Sequence, residues 1–118
     1  MKALKAILLL LACASSISFA QHLQSGTYRF DSTMKEYSLD KGNGDRVVQL
    51  EITFTKPFDV KPEVIVSVSN LDADKGSNAR FEVKALGISR DGFTVQVRTW
   101  ADSKIHGIGG SWIAYSNK

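Results

Sequence analysis

Two runs of strict alternation meet at an Asp-Gly pair, and no other feature narrows the fold of this chain so much. After the pair, Phe93, Val95 and Val97 alternate with Thr94, Gln96, Arg98 and Trp100. Before it, Phe81, Val83 and Ala85 alternate with Arg80, Glu82 and Lys84. An apolar/polar period of two is the pattern of a strand with one face buried. Ser89-Arg90-Asp91-Gly92 between the runs is a hairpin turn signal. The parity leaves Trp100 and Arg80 on the polar faces of their strands, each beside a polar loop. An indole on a water-facing side needs a reason: a ligand, a partner subunit, or simple cover by the Lys104 side chain.

The rest of the chain repeats the theme. His22 to Phe30 reads as a strand with Gly26 as a bulge, and Arg46 to Phe54 alternates with Val48, Leu50, Ile52 and Phe54 inward. Glu63 to Asn70 is rich in β-branched residues and reads as a more deeply buried strand. Ser111 to Ser116 forms the last. The connections are polar: Asp31 to Asp45, ending in the turn Lys41-Gly42-Asn43-Gly44-Asp45; a crossing marked by Pro57 and Pro62; Leu71 to Ala79; and Ala101 to Gly110. Six short strands with no helical period predict an all-β, six-stranded antiparallel β-sandwich, because each apolar face must meet another.

The first twenty residues read differently. Lys2 and Lys5 precede an apolar run from Ala6 to Ala14, and Ser18-Phe19-Ala20 resembles a cleavage site. The run is too short to span a bilayer. The expectation is a signal peptide over 1–20, a domain over 21–118, and a secreted, extracellular product with no membrane insertion of the mature domain. Leu10-Leu11-Ala12-Cys13 resembles a lipobox, so a lipid anchor through Cys13 is the alternative. Without Lys2 and Lys5 the mature part carries 13 basic and 12 acidic side chains. That near-neutral balance, with no basic stripe, argues against nucleic acid as a partner.

Catalytic and metal constellations are not evident. Asp72-Ala73-Asp74-Lys75-Gly76 fails the EF-hand pattern, since Gly76 and Val83 stand where ligands belong. His22 and His106 share no metal-ligand spacing, and Cys13, the single cysteine, lies in the leader. No serine sits in a nucleophile elbow. The expectation is no metal, no cofactor and no enzymatic activity. Arg80 and Trp100 suit a sugar instead. An indole offers a flat apolar surface, a guanidinium offers a fork of donors, and Asn43, Asp45 and Asp102 could accept from hydroxyls. Trp112 shares parity with Ala114 and reads as packing, in the core or at a subunit interface.

In order along the chain stand Ile52-Thr53-Phe54 with Lys56-Pro57-Phe58, Lys61-Pro62-Glu63-Val64, Leu71-Asp72, Arg80, Gly92-Phe93, Arg98-Thr99-Trp100 and Ser111-Trp112-Ile113-Ala114-Tyr115. This pattern resembles the H-type lectin domain, known from snail agglutinins and the C-terminal domain of discoidins. The resemblance implies a six-stranded sandwich assembled as a homotrimer or a multiple of it, with sites between subunits. It implies a carbohydrate ligand, terminal galactose or N-acetylgalactosamine. It assigns a sugar-bonding role to Arg80, a stacking role to Trp100, and an acidic role to the Asn43-Gly44-Asp45 loop, where Asn43 and Asp45 are both candidates. His106, read as part of the same loop as Trp100, occupies a position often aromatic in the family. The family's histidine after the tryptophan is Ala101 here. An exported β-sandwich that binds protein rather than sugar is the competing expectation.

Overall fold

The computed structural model describes residues 22–117; the leader expected over 1–20, with Cys13, lies outside them. Within the described residues the chain forms seven strands: β1 His22–Asp31, β2 Arg46–Thr53, β3 Glu63–Val66, β4 Asn70–Ala73, β5 Glu82–Leu86, β6 Gly92–Thr99 and β7 Ile105–Ser116. They make two antiparallel sheets, one with β7 between β1 and the β3/β4 pair, the other in the order β2-β6-β5. The all-β sandwich expected from the alternation is the fold.

The count of six strands is corrected to seven, and the reason is edge position. The chain from Glu63 to Ala73 runs along one side of β7: Glu63 pairs with Tyr115 and Val66 with Trp112, then Asn70 with Gly109 and Ala73 with Ile105. Ser67 and Ser69 keep contact in the gap through bonds to the Ser111 and Gly109 carbonyls, both 2.9 Å. Leu71-Asp72-Ala73 reads as loop because it is polar, but an edge strand half in water tolerates carboxylates. The expectation of a deeply buried strand at Glu63–Asn70 is corrected for the same reason, since Ile65 is 56% exposed.

β7 is twice as long as the sequence pattern suggests. Gly107, Gly109 and Gly110 read as a turn, yet all three are buried in the strand. Their missing side chains admit neighbours: a Cβ on Gly110 would stand 1.8 Å from the Ser67 carbonyl oxygen. The same logic removes the bulge expected at Gly26. The β1–β7 register runs unbroken from His22↔Ser116 to Asp31↔Gly107. Gly26 is there because a Cβ would lie 2.8 Å from the Trp112 indole, which passes beneath it.

The core sits between the sheets where the inward parities predicted it. Phe93, Val95 and Val97 of β6 are buried, with Val48 of β2, Phe30 of β1, and Ile108 and Ala114 of β7. Trp112 is 7% exposed, which settles it as core. It meets Phe93 edge-on at 5.3 Å and Phe54 at 5.9 Å, while Phe54 meets Phe58 at 4.9 Å. Each such pair adds about 0.5–1.5 kcal/mol beyond area burial, so this cluster locks one end of the sandwich.

Replacing Gly110 with Ala should cost about 1–3 kcal/mol, the usual penalty for overpacking, because the Ser67 carbonyl is backbone and cannot rotate away. Thermal denaturation of Gly110→Ala should show the drop. An unchanged melting temperature would mean that β3 and β4 do not press on β7 as described.

Candidate functional site

The alternation that buries Phe93, Val95 and Val97 also carries Thr99 inward and leaves Arg98 and Trp100 on the outer side. Thr99 is fully buried at the end of β6. Its hydroxyl donates to the Arg80 carbonyl at 2.5 Å. Ser103, also fully buried, donates through its hydroxyl to the Asn78 carbonyl and accepts from the Arg80 N–H at 3.1 Å. Two inward hydroxyls thus tie the segment before β5 to the loop after β6. Ile105 closes that loop: its N–H donates to the Leu39 carbonyl at 2.9 Å, and its carbonyl accepts from the Tyr37 hydroxyl at 2.5 Å. Burial raises the Tyr37 pKa, so this hydroxyl remains a donor at any ordinary pH.

The 42–45 turn folds against the same loop. Gly42 and Gly44 adopt φ of 68° and 82°, as the Gly-Asn-Gly-Asp sequence predicts. The Gly44 N–H donates to the Ala101 carbonyl at 3.0 Å. Arg46 fastens the turn from below, donating to Lys41 O at 2.7 Å, Gly44 O at 3.0 Å and Ala101 O at 2.9 Å. Lys104 reaches back over it, donating to the Gly42 carbonyl and, at 3.4 Å, to Asn43 Oδ1. Ala101 takes a φ of 56° to make the bend after Trp100.

Trp100, Arg80 and the Asn43–Asp45 turn therefore share one end of the three-stranded sheet, around the loop 100–104. Arg98 joins two of them. Its guanidinium carbon lies 4.7 Å from the Trp100 ring centroid, and its Nη2 donates to Asp45 Oδ1 at 2.9 Å. One face of the indole is thus covered and its orientation fixed by a cation–π contact worth about 0.5–1 kcal/mol at an exposed site. On the other side of the loop, Arg80 pairs with Asp102 at 2.5 Å and donates to Ser103 Oγ at 3.3 Å. The Arg80 side chain is 31% exposed. The Arg80 hydrogen bond holds the exposed Asp102 carboxyl below the usual carboxylate range.

His106 stands apart and corrects the expectation that it lies on the Trp100 loop. It is an outward residue of β7, in the other sheet, and its imidazole is 3.9 Å from the Asp74 carboxylate. Sequence reasoning also missed Arg98, Arg46, Thr99 and Ser103, and it offered Lys104 as cover for the indole, where Arg98 lies over the ring and Lys104 bonds the 42–43 turn. Arg98 carried a signal: it shares outer parity with Trp100 two residues on. Arg46 bonds backbone carbonyls, one of them 55 residues away at Ala101, and carried none. Among the described residues no cluster of His, Cys, Asp and Glu is placed to hold a metal ion.

A small sandwich that presents an aromatic ring, two guanidinium groups and two carboxylates on braced loops at one end of a sheet has the make-up of a binding module. The H-type lectin domain profile matches residues 49–115, more than half of the chain, and the chain belongs to that family. A Fuscovulum blasticum protein described as "ATP synthase subunits region ORF 7" is 37% identical over 73 residues, which are 62% of this chain and 64% of that protein. Discoidin II of Dictyostelium discoideum superposes with a TM-score of 0.72 at 23% identity, over 81% of this chain and 37% of that one. The tailspike of Pseudomonas phage phi297 superposes with a TM-score of 0.53 at 15% identity, over 83% of this chain and 16% of the tailspike. These structures share the fold. The chain spans less than two thirds of the length of each of these proteins.

The Asp102 carboxyl should titrate below the ordinary aspartate range when followed by carboxyl NMR, and should return to it in Arg80→Met. The stabilisation from this pair is present at neutral pH and is lost as pH falls through the lowered folded-state pKa of Asp102. An unshifted Asp102 in the parent protein would show that the ion pair does not form.

Proposed function

We propose that this protein is a secreted, multivalent lectin for galactose-type sugars, N-acetylgalactosamine in particular. The observation that carries the reading is the gathering of Trp100, Arg80 and the Asn43–Asp45 turn around one braced loop. The indole face not taken by Arg98 is the platform for the apolar side of the sugar. Arg80 supplies donors to ring and hydroxyl oxygens, and Asp45, Asp102 and Asn43 accept from hydroxyls. His106 lies on the other sheet and contributes at most from the rim. The site binds and does not turn over its ligand.

A site this open is shallow and wet, so a single copy binds weakly. Assembly as a homotrimer, or a multiple of it, offsets that, since linked sites gain roughly 10²–10⁴ in avidity without new contacts. A surface suited to self-association supports this. Leu23, Ile65, Ile113 and Tyr115 adjoin on the outer face of the β1-β7-β3 sheet, with Leu23 60% and Ile113 42% exposed. Contiguous exposed apolar area of this kind marks interaction sites. The expected leader over 1–20, read from the sequence alone, is the support for export, with a lipid anchor through Cys13 as the other route to the cell exterior.

Trp100→Ala should abolish binding to an N-acetylgalactosamine surface while leaving the melting temperature nearly unchanged, because Trp100 lies outside the buried core. Free N-acetylgalactosamine at millimolar levels should displace the parent protein from that surface. A folded, oligomeric protein that ignores every terminal galactose and N-acetylgalactosamine on a glycan array would overturn the reading. It would favour the competing one, a protein-binding module on the same fold.

A further inference from the structure

The end of the sandwich opposite Trp100 holds a second opening. Arg46 of β2 pairs with Thr99, and Thr53 pairs with Gly92. Thr53 is thus seven residues along the strand from the Trp100 end, about 23 Å at strand rise. There the free edges of β1 and β2 diverge into a cleft of about 440 Å³, lined by His22, Gln24, Ser25, Thr53, Thr55, Lys56 and Trp112, with Leu23 at its rim. This lies within the range of small-molecule sites and far exceeds a bare carboxylate or sulfate.

The cleft is built and not merely left over. The Gln24 side chain spans it, donating from Nε2 to the Lys56 carbonyl at 2.6 Å and accepting at Oε1 from the Thr55 N–H at 3.0 Å. This clasp uses both ends of one amide to fix the spacing of the two sheet edges. The Trp112 indole lines its inner side, packed directly under Gly26, where a Cβ would lie 2.8 Å from the ring. Its Nε1 is among the ring atoms nearest that gap. No residue among those described accepts a hydrogen bond from it, nor is it among the buried polar atoms left without a partner. A core tryptophan that keeps its N–H open to a cleft presents a fixed donor there.

The remaining lining is donor-rich. Lys56, His22 and Thr55 line it, with Ser25 and Thr53 on the outer sides of their strands at its rim, and among the described residues no carboxylate lines the cleft. The Trp100 end is the reverse, with Asp45 and Asp102 beside its guanidinium groups. Acceptors suit the hydroxyls of a neutral sugar; cationic and neutral donors without an acid suit an anion.

We propose that this cleft is a second ligand site and that it takes a carboxylate-bearing saccharide unit. The carboxylate sits against the Lys56 ammonium and the Trp112 N–H, and the ring hydroxyls lie toward Thr55 and the rim that Ser25 and Thr53 form. The two ends of one domain then read different features of a glycan, a neutral residue at Trp100 and an acidic one at Trp112.

The test is an NMR titration of the purified protein with glucuronate, glucose and acetate. Glucuronate should shift the Trp112 indole N–H and the amides of Gln24, Ser25, Thr55 and Lys56, and should do so equally in Trp100→Ala. Lys56→Met should weaken this response about tenfold, the size expected for one charge-assisted hydrogen bond. Glucose shifting the same signals as strongly would overturn the anionic preference. Acetate matching glucuronate would reduce the cleft to a simple anion site and overturn the saccharide. Shifts confined to the Trp100 end would remove the second site altogether. None of these results bears on N-acetylgalactosamine binding, which fails or stands by its own assay.

Discussion

Everything in this domain hangs on how closely other chains approach β7. This strand pairs with β1 on one side and with β3 and β4 on the other, and it does so over twelve residues because three of them are glycine. Where Gly107, Gly109 and Gly110 run, neighbours occupy the space that side chains would take: the Arg29 guanidinium, the Tyr28 and Ser67 carbonyls, the Asn70 amide. The opposite half of the same strand carries bulk, and Trp112 drives into the aromatic cluster with Phe54 and Phe93. A strand that is empty at one end and full at the other sets the sheet spacing. It also fixes where the loop before it must begin, because Ile105 is fully buried and bonded to Leu39 and Tyr37.

That anchoring is what gives the Trp100 loop a definite shape. Thr99, Ser103 and Ile105 are all fully buried, so only Trp100, Ala101, Asp102 and Lys104 face outward or sideways in the stretch between two strands. The two hydroxyls hold the Asn78–Arg80 segment from inside. Arg46 and Gly44 hold the Ala101 carbonyl from the other side. A site assembled on three strand ends and braced by buried hydrogen bonds loses little conformational entropy when a ligand arrives.

The fold was legible because its strands obey a period of two, and β2, β5 and β6 sit where that period places them. It failed where packing replaced pattern. Asn70–Ala73 is a strand by virtue of what it lies against, not of what it contains. Glycine was misread at Gly26 and from Gly107 to Gly110 because a close approach and a turn select the same residue, and only the neighbour tells them apart. In the candidate site, Trp100 and Arg80 were visible as side chains with the wrong parity for their chemistry. The 42–45 turn was visible from its glycines. The braces were not, because Arg46 and Lys104 act on backbone carbonyls, and Arg46 reaches across 55 residues to Ala101. His106 was displaced by the misplaced start of β7, an error inherited from the glycines.

The bracing also limits what the Trp100 end can gain from a ligand. Arg80 already bonds Asp102 and Ser103, Arg98 already bonds Asp45, and Lys104 already bonds the 42–43 carbonyl and amide. A sugar hydroxyl entering here exchanges hydrogen bonds with these groups and adds few, so the net gain per contact stays near the low end of about 0.5–1.5 kcal/mol. On the proposed reading, affinity at this end would come from the indole face, and from repetition of the site in an assembly. The opposite end differs in kind. Its Gln24 clasp holds the cleft open, and no described residue accepts from the Trp112 N–H. Rigid support from groups that do not themselves meet the ligand is the more efficient arrangement, and the same sandwich places one of each at its two ends.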